Sequence, residues 1–141
     1  MERQASPKIL ILESQLIIAM DVSLQLLKMG YDVIGINTQV TDTLKTIESN
    51  RPNLILMNIK RQDKEGHINF AKKIMKTFRL PVIFLSAHAD RELFDQVINV
   101  QPYAFITKPF EAKDLKRGLQ TALDRMQLEG FLEVSINDPV L

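Results

Sequence analysis

Short apolar runs hand over to polar residues able to do chemistry at four places: ILIL at 9–12 to Glu13-Ser14, LILM at 54–57 to Asn58, VIFL at 82–85 to Ser86, and FI at 105–106 to Thr107-Lys108. Glu13 and Lys108 offer one carboxylate and one ammonium, enough for an ion pair and for a weak hold on a hard cation. Ser86 is a hydroxyl at a strand end, which most often satisfies a nearby backbone group. Other candidates carry less. Asp63 and Glu65 read as a solvated loop, and His67 and His88 are each isolated, with Asp90 more simply a helix cap. Glycine-rich phosphate loops, a Ser-His-Asp arrangement and HExxH spacing are absent, so an independent enzyme has little support.

The elements that must position these residues follow from hydrophobic period. Ile9 to Leu12 is a continuously apolar strand, and Leu16, Ile17, Met20, Leu24 and Leu27 then recur at helical steps, predicting the buried face of a first helix that ends near Gly30. Tyr31 to Ile36 reads as a second strand. Val40, Leu44 and Ile47 mark a second helix capped near Thr41 or Asp42 and ended by Asn50-Arg51-Pro52. Leu54 to Met57 is a third strand, followed by a polar loop from Asn58 to Gly66 and a helix carrying Phe70, Ala71, Ile74 and Phe78. Val82 to Leu85 follows Pro81 as strand four. A helix with Leu93, Phe94, Val97 and Ile98, a fifth strand from Tyr103 to Ile106 and a helix with Leu115, Leu119, Leu123 and Met126 complete the series. Five strands of the fully buried type, each followed by a helix, predict an α/β doubly wound fold, (βα)5, with a parallel sheet in the middle layer of a three-layer sandwich. In such sheets the site lies at the carboxyl ends of the strands, where the polar residues above fall.

The chain has 141 residues, 45% hydrophobic and 25% charged, which suits one globular domain. Eighteen basic residues against 17 acidic give a net charge of +1, without a basic run, so direct nucleic-acid binding is not expected. Cysteine is absent, as a reduced cytoplasmic chain tolerates, and no apolar stretch approaches the roughly 20 residues of a membrane span. The domain is expected over residues 1–126. Residues 127–141 are expected to form a tail, or the start of a linker to a further domain.

ILILES at 9–14, LILMNI at 54–59, PVIFLSAHAD at 81–90 and FITKPF at 105–110 resemble, in order and spacing, the four signature segments of the response-regulator receiver domain, the CheY-like family. The resemblance covers about residues 8–126 and implies a flavodoxin-like fold and a role in two-component, phosphorelay signalling. An intact family member carries an acidic pair after strand one, a phosphoacceptor aspartate after strand three, a Ser or Thr after strand four and Lys-Pro after strand five. Here those positions fall on Glu13 and Ser14, Asn58, Ser86, and Lys108 and Pro109. The resemblance also places a switch aromatic at Phe105 and a magnesium-holding loop carbonyl at Lys60.

Two of three carboxylates are therefore missing. An amide nitrogen delocalised into its carbonyl is a poor nucleophile, so Asn58 is not expected to accept a phosphoryl group. Magnesium prefers carboxylate oxygens, so Glu13 with neutral oxygens is a weak candidate ligand and no firm metal or cofactor is expected. The reading is a pseudo-receiver without enzymatic activity. It binds another signalling protein (a histidine kinase, sensor or output domain) through surfaces around Phe105 and the fourth and fifth helices, with a weak homodimer through those helices. Two alternatives stand beside it. One is an active phosphoacceptor whose native residue at this position is aspartate, Asn58 being an engineered silencing change; the second departure at Ser14 favours natural degeneration. The other is a ligand-sensing module that uses the pocket beside Glu13 and Lys108.

Overall fold

Strand and helix alternate along the chain because the apolar pattern alternates between continuous runs and helical spacing. The computed structural model describes residues 6–87, 91–107 and 111–130. The strands are β1 (Lys8–Leu12), β2 (Asp32–Asn37), β3 (Leu54–Ile59), β4 (Val82–Ser86) and β5 (Ala104–Thr107). They alternate with α1 (Leu16–Lys28), α2 (Val40–Asn50), α3 (Lys64–Phe78), α4 (Arg91–Ile98) and α5 (Ala112–Leu128). All pairings are parallel and the strand order is β2-β1-β3-β4-β5. The doubly wound α/β sandwich expected from the sequence is the fold observed.

Period two within the strands divides the core into two layers. Leu10, Leu12, Ile55, Met57 and Phe84 face Ile47 of α2, Ile68, Ala71 and Ile74 of α3, and Leu93 and Val97 of α4. Ile9, Ile11, Leu54, Leu56, Ile83 and Leu85 face Ala19, Val22 and Leu26 of α1 and Leu115, Leu119, Ala122 and Met126 of α5. The central strands are buried on both faces. β2 lies at the sheet edge and is only half-buried, so it departs from the fully buried type expected of it.

Several boundaries differ from the sequence reading. β3 continues through Asn58 to Ile59, a 3-10 turn spans Arg61–Asp63, and α3 begins at Lys64, so Gly66 lies inside a helix and not in a loop. The ladder extends because Asn58 and Ile59 find partners in Leu85 and Ser86 of β4. The N-cap of α2 is Gln39, not Thr41 or Asp42, which lie in the first turn. Gly30 follows the C-cap Met29 at φ 93, with Gly30 N–H donating to the Leu27 carbonyl and Tyr31 N–H to that of Leu26, a paired closure that needs the left-handed conformation glycine tolerates.

The largest correction concerns α1. Leu16, Met20, Leu24 and Leu27 are 51–56% exposed and Ile17 is 84% exposed, whereas the buried face is Ala19, Val22 and Leu26. Apolar residues occupy most of the circumference of this helix, so periodicity admits either face. The face with alanine and valine is the one that packs on the sheet. Asp90, His88 and residues 131–141 lie outside the described residues. The last helix runs to Leu128, beyond the boundary expected at 126.

Candidate functional site

The parallel register brings the carboxyl ends of β1, β3 and β4 together. Glu13 follows β1, Asn58 is the penultimate residue of β3, and Ser86 ends β4; all three are buried. The Glu13 amide donates to the Asn37 carbonyl at 3.0 Å, which fixes the backbone where the strand leaves the sheet. Its carboxylate then turns inward. Asn58 Nδ2 donates to Glu13 Oε1, across 45 residues of sequence. Glu13 Oε2 accepts from Gln15 N–H at 2.8 Å, close to the start of α1, where backbone N–H groups favour a negative charge.

Each oxygen of the buried carboxylate thus has a donor. Ser14 is exposed, and Lys60 is half-buried before the 3-10 turn. Ser86 is fully buried and aligned with Ile59 on one side and Thr107 on the other. Lys108 and Pro109 lie outside the described residues; of the expected set, the structure pairs Glu13 with Asn58 and places Ser86 one residue further along the neighbouring strand. Asp63 and His67 meet at the start of α3, where His67 Nδ1 lies 3.0 Å from the Asp63 carbonyl. Among the described residues no group of three or more acidic or histidine side chains is placed to hold a metal ion.

Phe105 lies on β5, half-buried, and meets Phe94 of α4 edge to face at a centroid distance of 5.8 Å and 68°. This contact joins the strand to the outer face of α4, where Phe94 and Ile98 are exposed. Lys64 of α3 reaches Glu92 of α4 at 2.8 Å and ties the two helices on the same side of the sheet. A cavity of about 300 Å³ runs along β5 and α5 beside Phe105, Thr107, Arg117 and Gly118. A second, of about 390 Å³, lies between the ends of α2 and α3, against Ile47, Arg51, Phe78 and Leu80. Neither is lined by Glu13.

A group that the sequence reading did not single out closes the opposite end of α5. Tyr103 Oη donates to Glu129, and the Arg125 guanidinium lies 3.8 Å from the centre of the Tyr103 ring. Arg125 also donates to the carbonyls of Gln101 and Pro102 and to the Glu129 carboxylate. Burial, followed by the hydrogen bond to Glu129, pushes the Tyr103 hydroxyl up to about 12. The same bond, with Arg125, holds the Glu129 carboxyl below its ordinary value. An aromatic beside a strand start and an Arg four residues before a Glu were visible in sequence, but not that they meet.

Residues 9–120 match the family described as the response regulator receiver domain. The phyllosphere-induced regulator PhyR of Methylorubrum extorquens is 34% identical over 117 residues, 82% of this chain and 43% of that protein. The transcriptional regulatory protein PdtaR of Mycobacterium tuberculosis is 27% identical over 120 residues, 85% of this chain and 58% of that protein. The chain therefore spans about half the length of these curated relatives. Among solved structures, the signal receiver domain of a modulated diguanylate cyclase from Desulfovibrio desulfuricans G20 superposes with a TM-score of 0.76 at 27% identity, covering 89% of this chain and 99% of that one.

Proposed function

Because the chain belongs to the response regulator receiver family and is a receiver module of two-component signalling, we propose that it acts by protein contact without being phosphorylated. The observation that carries this reading is the hydrogen bond from the Asn58 amide to the buried Glu13 carboxylate. An intact receiver crowds like charges at this point, and they are relieved by a cation. Here the amide supplies a donor in place of a negative charge. Asn58 has no carboxylate oxygen to attack a phosphorus atom, and its nitrogen is committed to Glu13.

Magnesium fits this donor set poorly. The single buried carboxylate already accepts from Asn58 and from Gln15 N–H, and the described oxygens beside it, on Asn58 and Ser86, are neutral, where magnesium prefers carboxylates. Glu13, Ser14, Asn58, Lys60 and Ser86, with Lys108 and Pro109 by their place in the sequence, are the receiver-site positions that the resemblance implies, and with an amide at position 58 we assign them no phosphotransfer. The loss of chemistry leaves the outer surface intact.

The contact surface we assign is that of α4, β5 and α5, where Phe94 and Ile98 are exposed and Phe105 packs beneath Phe94. Its partner is another signalling protein: a histidine kinase, a sensor or an output domain. We assign this face to that partner and not to the homodimer through α4 and α5 that the family resemblance implies. Both relatives are named as regulators, one of them transcriptional, which supports a cytoplasmic place of action.

The test is incubation with magnesium and acetyl phosphate, read by intact mass, together with thermal melts in magnesium and beryllium fluoride. No added phosphoryl group and an unchanged midpoint are expected for the chain as it stands. Phosphorylation of this chain would overturn the proposal. Stable phosphorylation of the Asn58→Asp variant would instead show that Ser14 is tolerated and that aspartate restores the family's activity.

A further inference from the structure

The outward face of α1 is out of keeping with the rest of the surface. The outer side of α5 carries Lys116, Gln120, Asp124 and Gln127, and that of α3 carries Lys72, Lys73 and Lys76, as solvated helices should. On α1 the same side carries Leu16, Ile17, Met20, Leu24 and Leu27, within a stripe about 100° wide and with no charge inside it. Taking on the order of 200 Å² for each such residue when fully exposed, the stripe presents about 600 Å², the upper end for the largest apolar patch on a monomer.

We propose that α1 is a self-association surface, on which a second copy of this chain packs its own α1 antiparallel about a two-fold axis. Two observations select a second copy. The first is area: apposing two stripes removes about 1,200 Å² from water, the lower edge of specific interfaces, which suits a reversible dimer with micromolar affinity. The second is register. A two-fold axis passing level with Val22 sets Ile17 of one copy against Leu27 of the other and Met20 against Leu24, and Leu16 level with Lys28, whose methylene stem covers it while the ammonium reaches solvent. Asp21 lies beyond the edge of the stripe and is exposed. Packing at a helix spacing of about 8–10 Å needs only these aliphatic side chains between the axes.

The chain contains no cysteine, which makes a cross-linking test clean. The experiment is sedimentation equilibrium of the full chain from about 1 to 300 µM, bracketing that affinity, with Leu24→Glu and Phe94→Glu variants, followed by oxidation of mixed Met20→Cys and Leu24→Cys proteins. A reversible dimer is expected, weakened at least tenfold by Leu24→Glu and unchanged by Phe94→Glu, with the Leu24→Glu melting temperature close to that of the parent. The two cysteine proteins should cross-link to each other more than either does to itself. A monomer at every concentration would overturn the proposal, leaving the stripe to another protein or to residues 131–141. So would a dimer that survives Leu24→Glu and is lost in Phe94→Glu, which places self-association on α4.

Discussion

Replacing Asn58 by Asp changes one NH₂ group into an oxygen at nearly constant volume, so its effect on stability isolates the electrostatics of the buried pair. In the parent, Asn58 Nδ2 donates to Glu13 Oε1, and both residues are buried. The substitution removes a hydrogen bond to a charged group, costing about 1.5–3 kcal/mol. It also sets two carboxylates face to face. At roughly 4 Å and an effective dielectric of about 20, that repulsion is about 4 kcal/mol, part of which relaxes as the side chains separate or water enters. A net loss of about 3–5 kcal/mol is expected near neutral pH in the presence of a chelator. At about 3–5 °C per kcal/mol for a domain of this size, the melting midpoint should fall by about 10–20 °C. Millimolar magnesium should restore much of the loss in the variant, because a cation binding only the folded state raises its stability, and should leave the parent unmoved. The assay is a thermal or urea melt of both proteins with chelator and with magnesium. An Asn58→Asp variant as stable as the parent without metal would refute the view that the Asn58–Glu13 bond is what lets this site rest without a cation.

The two faces of α1 give a paired test: Leu26→Ala should cost about 2–5 kcal/mol in urea unfolding because Leu26 is fully buried, while Leu24→Ala, at a position more than half exposed, should stay within about 0.5 kcal/mol under monomeric conditions. Tyr103 keeps its proton in the folded chain where the unfolded chain releases it. Stability should therefore be full below pH 10 and fall as pH rises through about 12, and Tyr103→Phe should flatten that decline in pH-dependent melts. Arg51 closes α2 in the left-handed region at φ 50; Arg51→Gly should remove that strain and raise stability by about 0.5–1 kcal/mol, read by chemical unfolding, and a loss of similar size would count against it.

The parallel sheet was legible because continuous apolar runs such as LILM at 54–57 and VIFL at 82–85 are tolerated only where a strand is covered on both faces. Their polar terminators were legible for the same reason: polar residues end each run where the chain emerges from the core, and the topology gathers those ends. The composition of the site followed, including the amide at position 58. The end of β3 was less legible, because a polar residue looks like a loop until a neighbouring strand supplies the ladder that carries Asn58 and Ile59 onward.

Three features needed the tertiary structure. Which side of α1 is buried depends on how closely a helix can approach β1 and β2; with aliphatic residues on most of its circumference, its own sequence is nearly indifferent to the choice. The Tyr103, Arg125 and Glu129 cluster joins the start of β5 to the end of α5, and no local pattern connects them. The pairing of Asn58 with Glu13 is the third: the sequence determined that one amide and one carboxylate stand at strand ends, but only the parallel register of β1 beside β3 brings them within hydrogen-bonding distance across 45 residues. Strand adjacency is set by the packing of the whole sheet, and in that packing a missing charge becomes a satisfied hydrogen bond.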